Sequence, residues 1–246
     1  MRILFINPNT SAVFTERIGT VLSGYALPST EVVALNPASG PRSIESVYDE
    51  LLSAPGTLET ILENPGFDAY VIACYSDHPT VYAAREILEQ PVLGIAEASM
   101  LAACMLGHRF SVVTTNDSWG PLLRDAVQHY GLTDRCASIR TTGAPVLALE
   151  TAEAETRKLI LDAARKAIAD DGADVICLGC AGMAGLDKQL EVELGVPVID
   201  GVVAALKLLE GLVGYGVRTS KRCAYGRPGR KGLVNLPAVF ATPYAD

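Results

Sequence analysis

Two stretches of this chain share one layout. Asp68-Ala69-Tyr70-Val71-Ile72-Ala73-Cys74 and Asp174-Val175-Ile176-Cys177-Leu178-Gly179-Cys180 each lead from an aspartate through an apolar run to a cysteine. The two cysteines lie 106 residues apart, as do the two aspartates and the runs Pro91-Val92-Leu93 and Pro197-Val198-Ile199. Arg2-Ile3-Leu4-Phe5-Ile6-Asn7 pairs with Arg109-Phe110-Ser111-Val112-Val113-Thr114 at a separation of 107. The chain therefore reads as two similar halves, each offering a cysteine at the end of a strand. Short apolar runs of this kind are buried parallel strands. Open α/β sheets bind ligands at the carboxyl ends of such strands. If the halves face each other, the two thiols address opposite sides of one small molecule.

The rest of the pattern alternates strand and helix, which predicts an α/β fold. It should form two pseudo-symmetric lobes, each a mainly parallel sheet flanked by helices, with the active site between them. The first lobe spans 1–107, with completion by the C-terminal helix as an option; the second spans 108–217; a basic tail covers 218–246. The turn Asn7-Pro8-Asn9-Thr10-Ser11 offers caps for a helix carrying Phe14, Ile18, Val21 and Leu22 on one face. Ser43 is read as the cap of a helix starting near Ile44, broken at Pro55-Gly56. Asp77-His78-Pro79 marks another helix start, residues 96–106 a mostly apolar, buried helix, and 150–170 the longest helix, closed by Gly172. No linker rich in Gly, Ser or Pro separates the halves, so they should pack closely. The tail carries Arg218, Lys221, Arg222, Arg227, Arg230 and Lys231 against the single acid Asp246. It reads as a solvated or subunit-covering extension, with closure of the pocket as the lesser option.

Bulk properties exclude some partners. The net charge of −8 argues against a nucleic-acid backbone or an anionic membrane. No apolar stretch approaches the roughly 20 residues of a membrane span. The apolar run before Asn7-Pro8 is too short for a signal peptide, so a cytoplasmic location is expected. There the six cysteines should be reduced thiols.

Paired thiols suit one chemistry in particular. Removing a proton beside a carbonyl and replacing it on the opposite face needs two bases, one a thiolate and the other a thiol. A helix N-terminus can lower a cysteine pKa from about 8.5, and backbone N–H groups at such a turn can stabilise an enolate-like oxygen. Neither a metal nor an organic cofactor is required. Cys74 and Cys180 are the candidate bases, and they are expected to react with iodoacetamide ahead of the other four cysteines. Cys104, Cys136, Cys177 and Cys223 lack the symmetry and read as structural. Cys177 and Cys180 spell C-x-x-C, but Cys177 lies inside a strand and the two point to opposite faces, so no disulfide is expected. His78, His108 and His129 show no zinc-ligand spacing with them. His78 reads chiefly as a capping or surface residue, with a contact to the pocket as the lesser option.

Asn7, Asn9, Thr114 and Thr115 stand at other strand ends, where they cap turns or hydrogen-bond a small polar substrate. Ser76 and Asp77, after the first cysteine, can do the same, and Ser43 has a lesser pocket role. These loops contain no lysine, and Arg42 is the only nearby arginine. That favours a neutral, amide-rich substrate over a free carboxylate.

At this point the motifs resemble a known family. Asn7-Pro8-Asn9-Thr10-Ser11, Gly40-Pro41 with Ser43-Ile44-Glu45, Ala73-Cys74, and Gly94-Ile95-Ala96-Glu97-Ala98 all fit it. So do Ser111-Val112-Val113-Thr114-Thr115, Leu178-Gly179-Cys180-Ala181-Gly182-Met183, Pro197-Val198-Ile199-Asp200-Gly201 and Thr219-Ser220-Lys221. Together they resemble the hydantoin/allantoin racemase branch of the aspartate/glutamate racemase superfamily, over essentially the whole chain up to the tail. The resemblance implies a cofactor-independent two-base racemase with Cys74 and Cys180 as bases, and a homo-oligomer. It implies a pocket lined by Asn7, Ser76, Thr114, Thr115, Ala181 and Gly182, and Ser43, Ile44 and Tyr75 are further candidates for substrate binding. One loop departs from the pattern: Tyr75-Ser76-Asp77-His78-Pro79 stands where relatives commonly carry Gly-Asp-Pro-Gly. The tail after Lys231 is also longer than expected.

The reading carried forward is a racemase of a five-membered cyclic ureide. Racemisation of a free amino acid, or a related decarboxylation or isomerisation, remains an alternative. So does a non-catalytic small-molecule binding protein, which would have no use for paired thiols.

Overall fold

The computed structural model describes residues 1–244. The first half runs β1 (Arg2–Ile6), α1 (Ala12–Tyr25), β2 (Glu31–Leu35), α2 (Val47–Glu63), β3 (Ala69–Ile72), α3 (Pro79–Ile87), β4 (Val92–Gly94) and α4 (Ile95–Leu106). The second half runs β5 (Phe110–Thr114), α5 (Trp119–His129), β6 (Cys136–Thr141), α6 (Ala148–Thr151), α7 (Glu153–Asp171), β7 (Val175–Leu178), α8 (Asp187–Leu194), β8 (Val198–Asp200) and α9 (Gly201–Tyr215). Each half builds a four-stranded sheet, ordered β2-β1-β3-β4 and β6-β5-β7-β8, and all the pairs are parallel. The two orders correspond strand for strand, as the repeat predicts.

The repeated aspartates have a structural task. Arg2 N donates to Asp68 Oδ2 at 2.7 Å, and Asp68 N donates back to Arg2 O at 2.8 Å. In the second half His108 N and Arg109 N both donate to Asp174 at 2.9 Å, and Asp174 N returns a bond to Arg109 O at 2.9 Å. Each aspartate thus ties the start of its cysteine strand to the start of the central strand. That fixes the register on which the strand ends depend.

The last helix of each half packs on the other half. Helix α4 lies against β5, β7 and β8, while α9 lies against β3, β4 and α1, and the two helices pack on each other. Their first residues meet: a Cβ on Gly201 would stand 2.8 Å from Ile95 O, so only glycine allows this approach. One continuous core results, joining Ile3, Phe5 and Val71 to Val112, Val175 and Leu206.

Several local expectations change. Helix α2 begins at Val47, capped by Ser46, not near Ile44 under Ser43. Ser46 accepts from Asp49 N at 3.2 Å and donates to Asp49 Oδ2 at 2.9 Å, while Glu45 N also donates to Asp49. This reciprocal cap outcompetes Ser43, whose hydroxyl turns to Glu45 Oε1 at 2.9 Å. Pro55-Gly56 does not break the helix, which continues to Glu63 with Pro55 inside. Tertiary packing overrides the lost hydrogen bond: Gly56 is pressed so closely on the 37–39 loop that a Cβ would stand 2.7 Å from Ser39 O. Helix α4 is not buried all round, since Leu101, Met105 and Leu106 are exposed. Strand β3 ends at Ile72, two residues before Cys74.

The tail lies on the outer face of the first half. Thr219 N and Oγ1 bond the carbonyls of Glu89 and Gln90 at 2.9 and 2.7 Å. Lys221 Nζ donates to Arg85 O, Arg218 and Arg227 pair with Glu89, and 238–244 packs on α2. Arg218, Lys221 and Arg227 thus serve α3 and the loop after it. Closure of the pocket by the tail finds no support among the described residues, and 245–246 lie outside them.

The aspartate ties predict a measurable loss. Burial opposes ionisation of Asp174, but the N–H groups of Arg109 and His108 hold its carboxyl below the usual range. A depressed carboxyl contributes stability above its unfolded pKa of about 4 and loses it as pH falls. Asp174→Ala should cost about 1 kcal/mol at pH 7, given the exposure of this residue. In urea unfolding the gap from wild type should narrow below about pH 4.

Candidate functional site: two thiols on one cavity

Cys74 and Cys180 lie just beyond the carboxyl ends of β3 and β7, and both line one cavity of about 30 Å³ between the halves. Its other walls are Asn7, Asn9, Phe14, Ile44, Ala73, Tyr75, Thr115, Trp119, Val146, Gly179, Ala181 and Gly182. Of the sequence-predicted pocket residues, Asn7, Ile44, Tyr75, Thr115, Ala181 and Gly182 are thus brought together with both cysteines. Ser43, Ser76 and Thr114 are not on this wall, and each has a local reason. Ser43 is bonded to Glu45. Thr114 Oγ1 donates to Gly179 O at 2.7 Å and so fixes the residue before Cys180. Ser76 stands behind Cys74, its hydroxyl 3.5 Å from the sulfur.

Close contacts shape the two cysteine loops. Gly179 admits no side chain, because a Cβ would stand 2.7 Å from Thr114 Cβ and 2.8 Å from Val113 O. Gly182 fits between Phe14 and Leu149, where a Cβ would meet ring and methyl carbons at 2.9 and 2.8 Å. Cys180 opens a single 3₁₀ turn, Ala181–Met183, whose Gly182 carbonyl accepts from Arg17 Nη1 at 2.7 Å. Asn7 spends its amide on the 7–15 segment, donating to Asn9 Oδ1, Ser11 O and Thr15 Oγ1. Its role is to rigidify the loop that forms one wall.

Two polar clasps cross between the halves beside the cavity. Glu45 Oε2 accepts from Asn116 Nδ2 and Glu45 O from Ser118 Oγ, both at 2.9 Å. Asp77 takes Tyr82 and Tyr130 hydroxyls on Oδ1 at 2.5 and 3.1 Å, and His129 Nδ1 lies 2.6 Å from Oδ2. His78 is neither a surface residue nor on the thiol cavity. It caps α3, fully buried, between Ser53 and Thr80 at 2.9 and 2.7 Å. Burial pulls its pKa down to about 4, so it is neutral.

The expectation of acidified thiols is reversed. Burial pushes Cys180 up to about 11, against a hydrogen bond from the Gly182 backbone; the Glu45 charge adds to the rise and Arg17 opposes it. Burial drives Cys74 higher still; the Ser76 hydroxyl opposes this, while Glu50 and Cys180 add to it. A short turn supplies too little positive potential to offset the loss of water around a thiolate. Cys180 is the more acidic of the pair, an order that the repeat could not reveal. Arg17, not Arg42, is the arginine beside the site. Cys177 is buried in the core and forms no disulfide; all six cysteines are free. Among the described residues, no group of three or more His, Cys, Asp and Glu side chains is placed to hold a metal.

Sequence reasoning missed Phe14, Trp119 and Val146 as walls and Arg17, Glu45 and Glu50 as charges. Phe14 and Trp119 had a usable signal: each sits in the first turn of the helix that follows a central strand, in matching places of the two halves.

Comparison with known proteins decides the family. The family described as Asp/Glu/Hydantoin racemase matches residues 3–209. The chain belongs to this family. It is 46% identical over 236 residues to a hydantoin racemase of Pseudomonas sp. (strain NS671), covering 95% of this chain and 94% of that protein. The structure of allantoin racemase from Klebsiella pneumoniae matches with a TM-score of 0.94 at 42% identity, over 100% of both chains. Allantoin racemase from Pseudomonas fluorescens gives 0.92 at 42% identity, over 96% of this chain and 100% of that one. With membership in the Asp/Glu/Hydantoin racemase family comes the enzyme class: the chain is an isomerase of the racemase type.

The raised thiol pKa values reverse the labelling expectation. At pH 7, iodoacetamide should modify the exposed Cys223 first. Labelling of Cys180 should rise about tenfold per pH unit toward its pKa. Peptide mass spectrometry resolves the sites, and fast labelling of Cys74 at pH 7 would contradict its raised pKa.

Proposed function

We propose that the protein racemises a five-membered cyclic ureide, a 5-substituted hydantoin or allantoin, by two-thiol proton exchange without a cofactor. The observation that carries this reading is the placement of Cys74 and Cys180, from corresponding strand ends of two opposed halves, on one narrow cavity. One sulfur takes the proton from the carbon beside the carbonyl, and the other returns a proton from the opposite face. Because Cys180 is the more acidic thiol, it is the one that gives up its proton more readily to become the attacking base. The cavity wall is mostly apolar, with amide and hydroxyl groups from Asn7, Asn9 and Thr115, which suits a neutral ring better than a zwitterionic amino acid. No helix among the described residues is long and apolar enough to cross a membrane, and we place the enzyme in the cytoplasm.

We also infer a homo-oligomer. Val47, Tyr48, Leu51 and Leu52 leave an exposed apolar stripe along α2, the kind of surface that subunit contacts cover. Light scattering should return a mass that is a multiple of 26.0 kDa. A monomer at micromolar concentration would refute this.

The decisive assay follows optical rotation and deuterium uptake in D₂O from single enantiomers of allantoin and of 5-substituted hydantoins. Wild type should racemise with solvent deuterium, and Cys74→Ser and Cys180→Ser should each lose at least about 10²-fold in rate. A variant that still exchanges one enantiomer assigns its remaining thiol to that face. If wild type exchanges no ureide, the substrate class is wrong.

A further inference from the structure

A second chamber adjoins the thiol cavity. It measures about 280 Å³ and is lined by Glu50, Ser76, Asp77, Trp119, Leu122, Leu123, Asp125, Ala126 and His129. Two residues join it to the thiols. Trp119 forms a wall of both spaces, and Ser76 faces the chamber while its hydroxyl reaches the Cys74 sulfur at 3.5 Å. The chamber therefore borders the space between the sulfurs through Trp119 and Ser76. The lining combines apolar groups, Leu122, Leu123, Ala126 and the indole, with carboxylates from three elements: Glu50 from α2, Asp77 from the loop after Cys74, and Asp125 from α5.

Glu50 is the informative member. It is only 8% exposed, yet its Oε1 has no hydrogen-bond partner among the described residues. A buried acceptor left unpaired costs free energy, and such groups are kept where something outside the chain completes them. Asp77 is already engaged by Tyr82, Tyr130 and His129, so Glu50 and the exposed Asp125 are the carboxylates left for a ligand, and Glu50 is the buried one. No lysine or arginine lines the chamber.

We propose that this chamber binds the side group of the substrate, and that it selects groups bearing N–H donors, ureido or guanidinium, over carboxylates. The assignment rests on the ureide-racemase reading for the identity of the substrate, but the chamber can be tested without turnover. An N–H group entering past Trp119 pairs with Glu50 Oε1, while its methylene stem lies on Leu122 and Ala126. A carboxylate there would face Glu50, Asp77 and Asp125, with no lysine or arginine to pair with and with His129 already held by Asp77.

Trp119 is the only tryptophan in the chain, so its fluorescence reports occupancy directly. The intact protein is titrated with N-propylurea, propylguanidinium and butyrate as probes of the chamber alone. The first two should change the emission saturably, and butyrate should not. Glu50→Gln should weaken propylguanidinium binding about tenfold. Asp125→Asn, at an exposed position, keeps the test alive if the first variant does not fold, and should weaken propylguanidinium more than N-propylurea. Equal binding of butyrate, or no saturable response to either donor probe, would overturn the proposal. So would a Glu50→Gln protein that binds every probe as wild type does but racemises all substrates more slowly, since Glu50 would then act only on Cys74. If the probes saturate while no ureide is racemised, the chamber stands and the proposed function falls.

Discussion

The exchange of terminal helices is the contact on which everything else depends. Each half ends in an apolar helix that touches its own sheet mainly at the last strand and reaches across to the other half. Helix α4 goes to the second sheet and α9 to the first, and the two pack face to face. Fully buried Ala96, Ala98, Ala103 and Ala205 keep this contact close, and Gly201 lets the two helix starts touch. With α4 and α9 crossed, the halves cannot separate without opening the common core. Their strand ends must then face one another. The thiol cavity follows from that packing and from nothing local to either cysteine.

Enclosure has an electrostatic consequence. Removing water from around the thiols makes each a poorer acid, and only a few compensating groups are present: the Gly182 backbone and Arg17 near Cys180, the Ser76 hydroxyl near Cys74. The inequality between the two environments breaks the symmetry that the repeat would impose. The clasps of Glu45 and Asp77 then tie the loops of one half to those of the other, so the site is built from both halves at every level.

Much of this was legible in the residues. The 106-residue repeat predicts two similar sheets, and the structure has them in the same strand order. Strand positions followed from apolar runs, and Cys74 and Cys180 followed from their matched places. The misread elements share a cause. Ser43 was a plausible cap, but Ser46 has Asp49 three residues on to complete the reciprocal pair. Pro55 looks like a helix breaker until the 37–39 loop is seen pressed against Gly56.

The amino-acid sequence by itself determined the duplicated architecture, the two candidate bases and the family, because strand periodicity and spacing are properties of neighbouring residues. Tertiary structure alone decided which walls close the cavity, that Trp119 divides it from a second chamber, and that Arg17 rather than Arg42 stands by. It also decided the direction of the thiol pKa shifts. Desolvation is set by whatever surrounds a group in space, and here that is Phe14, Ile44, Trp119 and Val146, brought from both halves by the crossed helices.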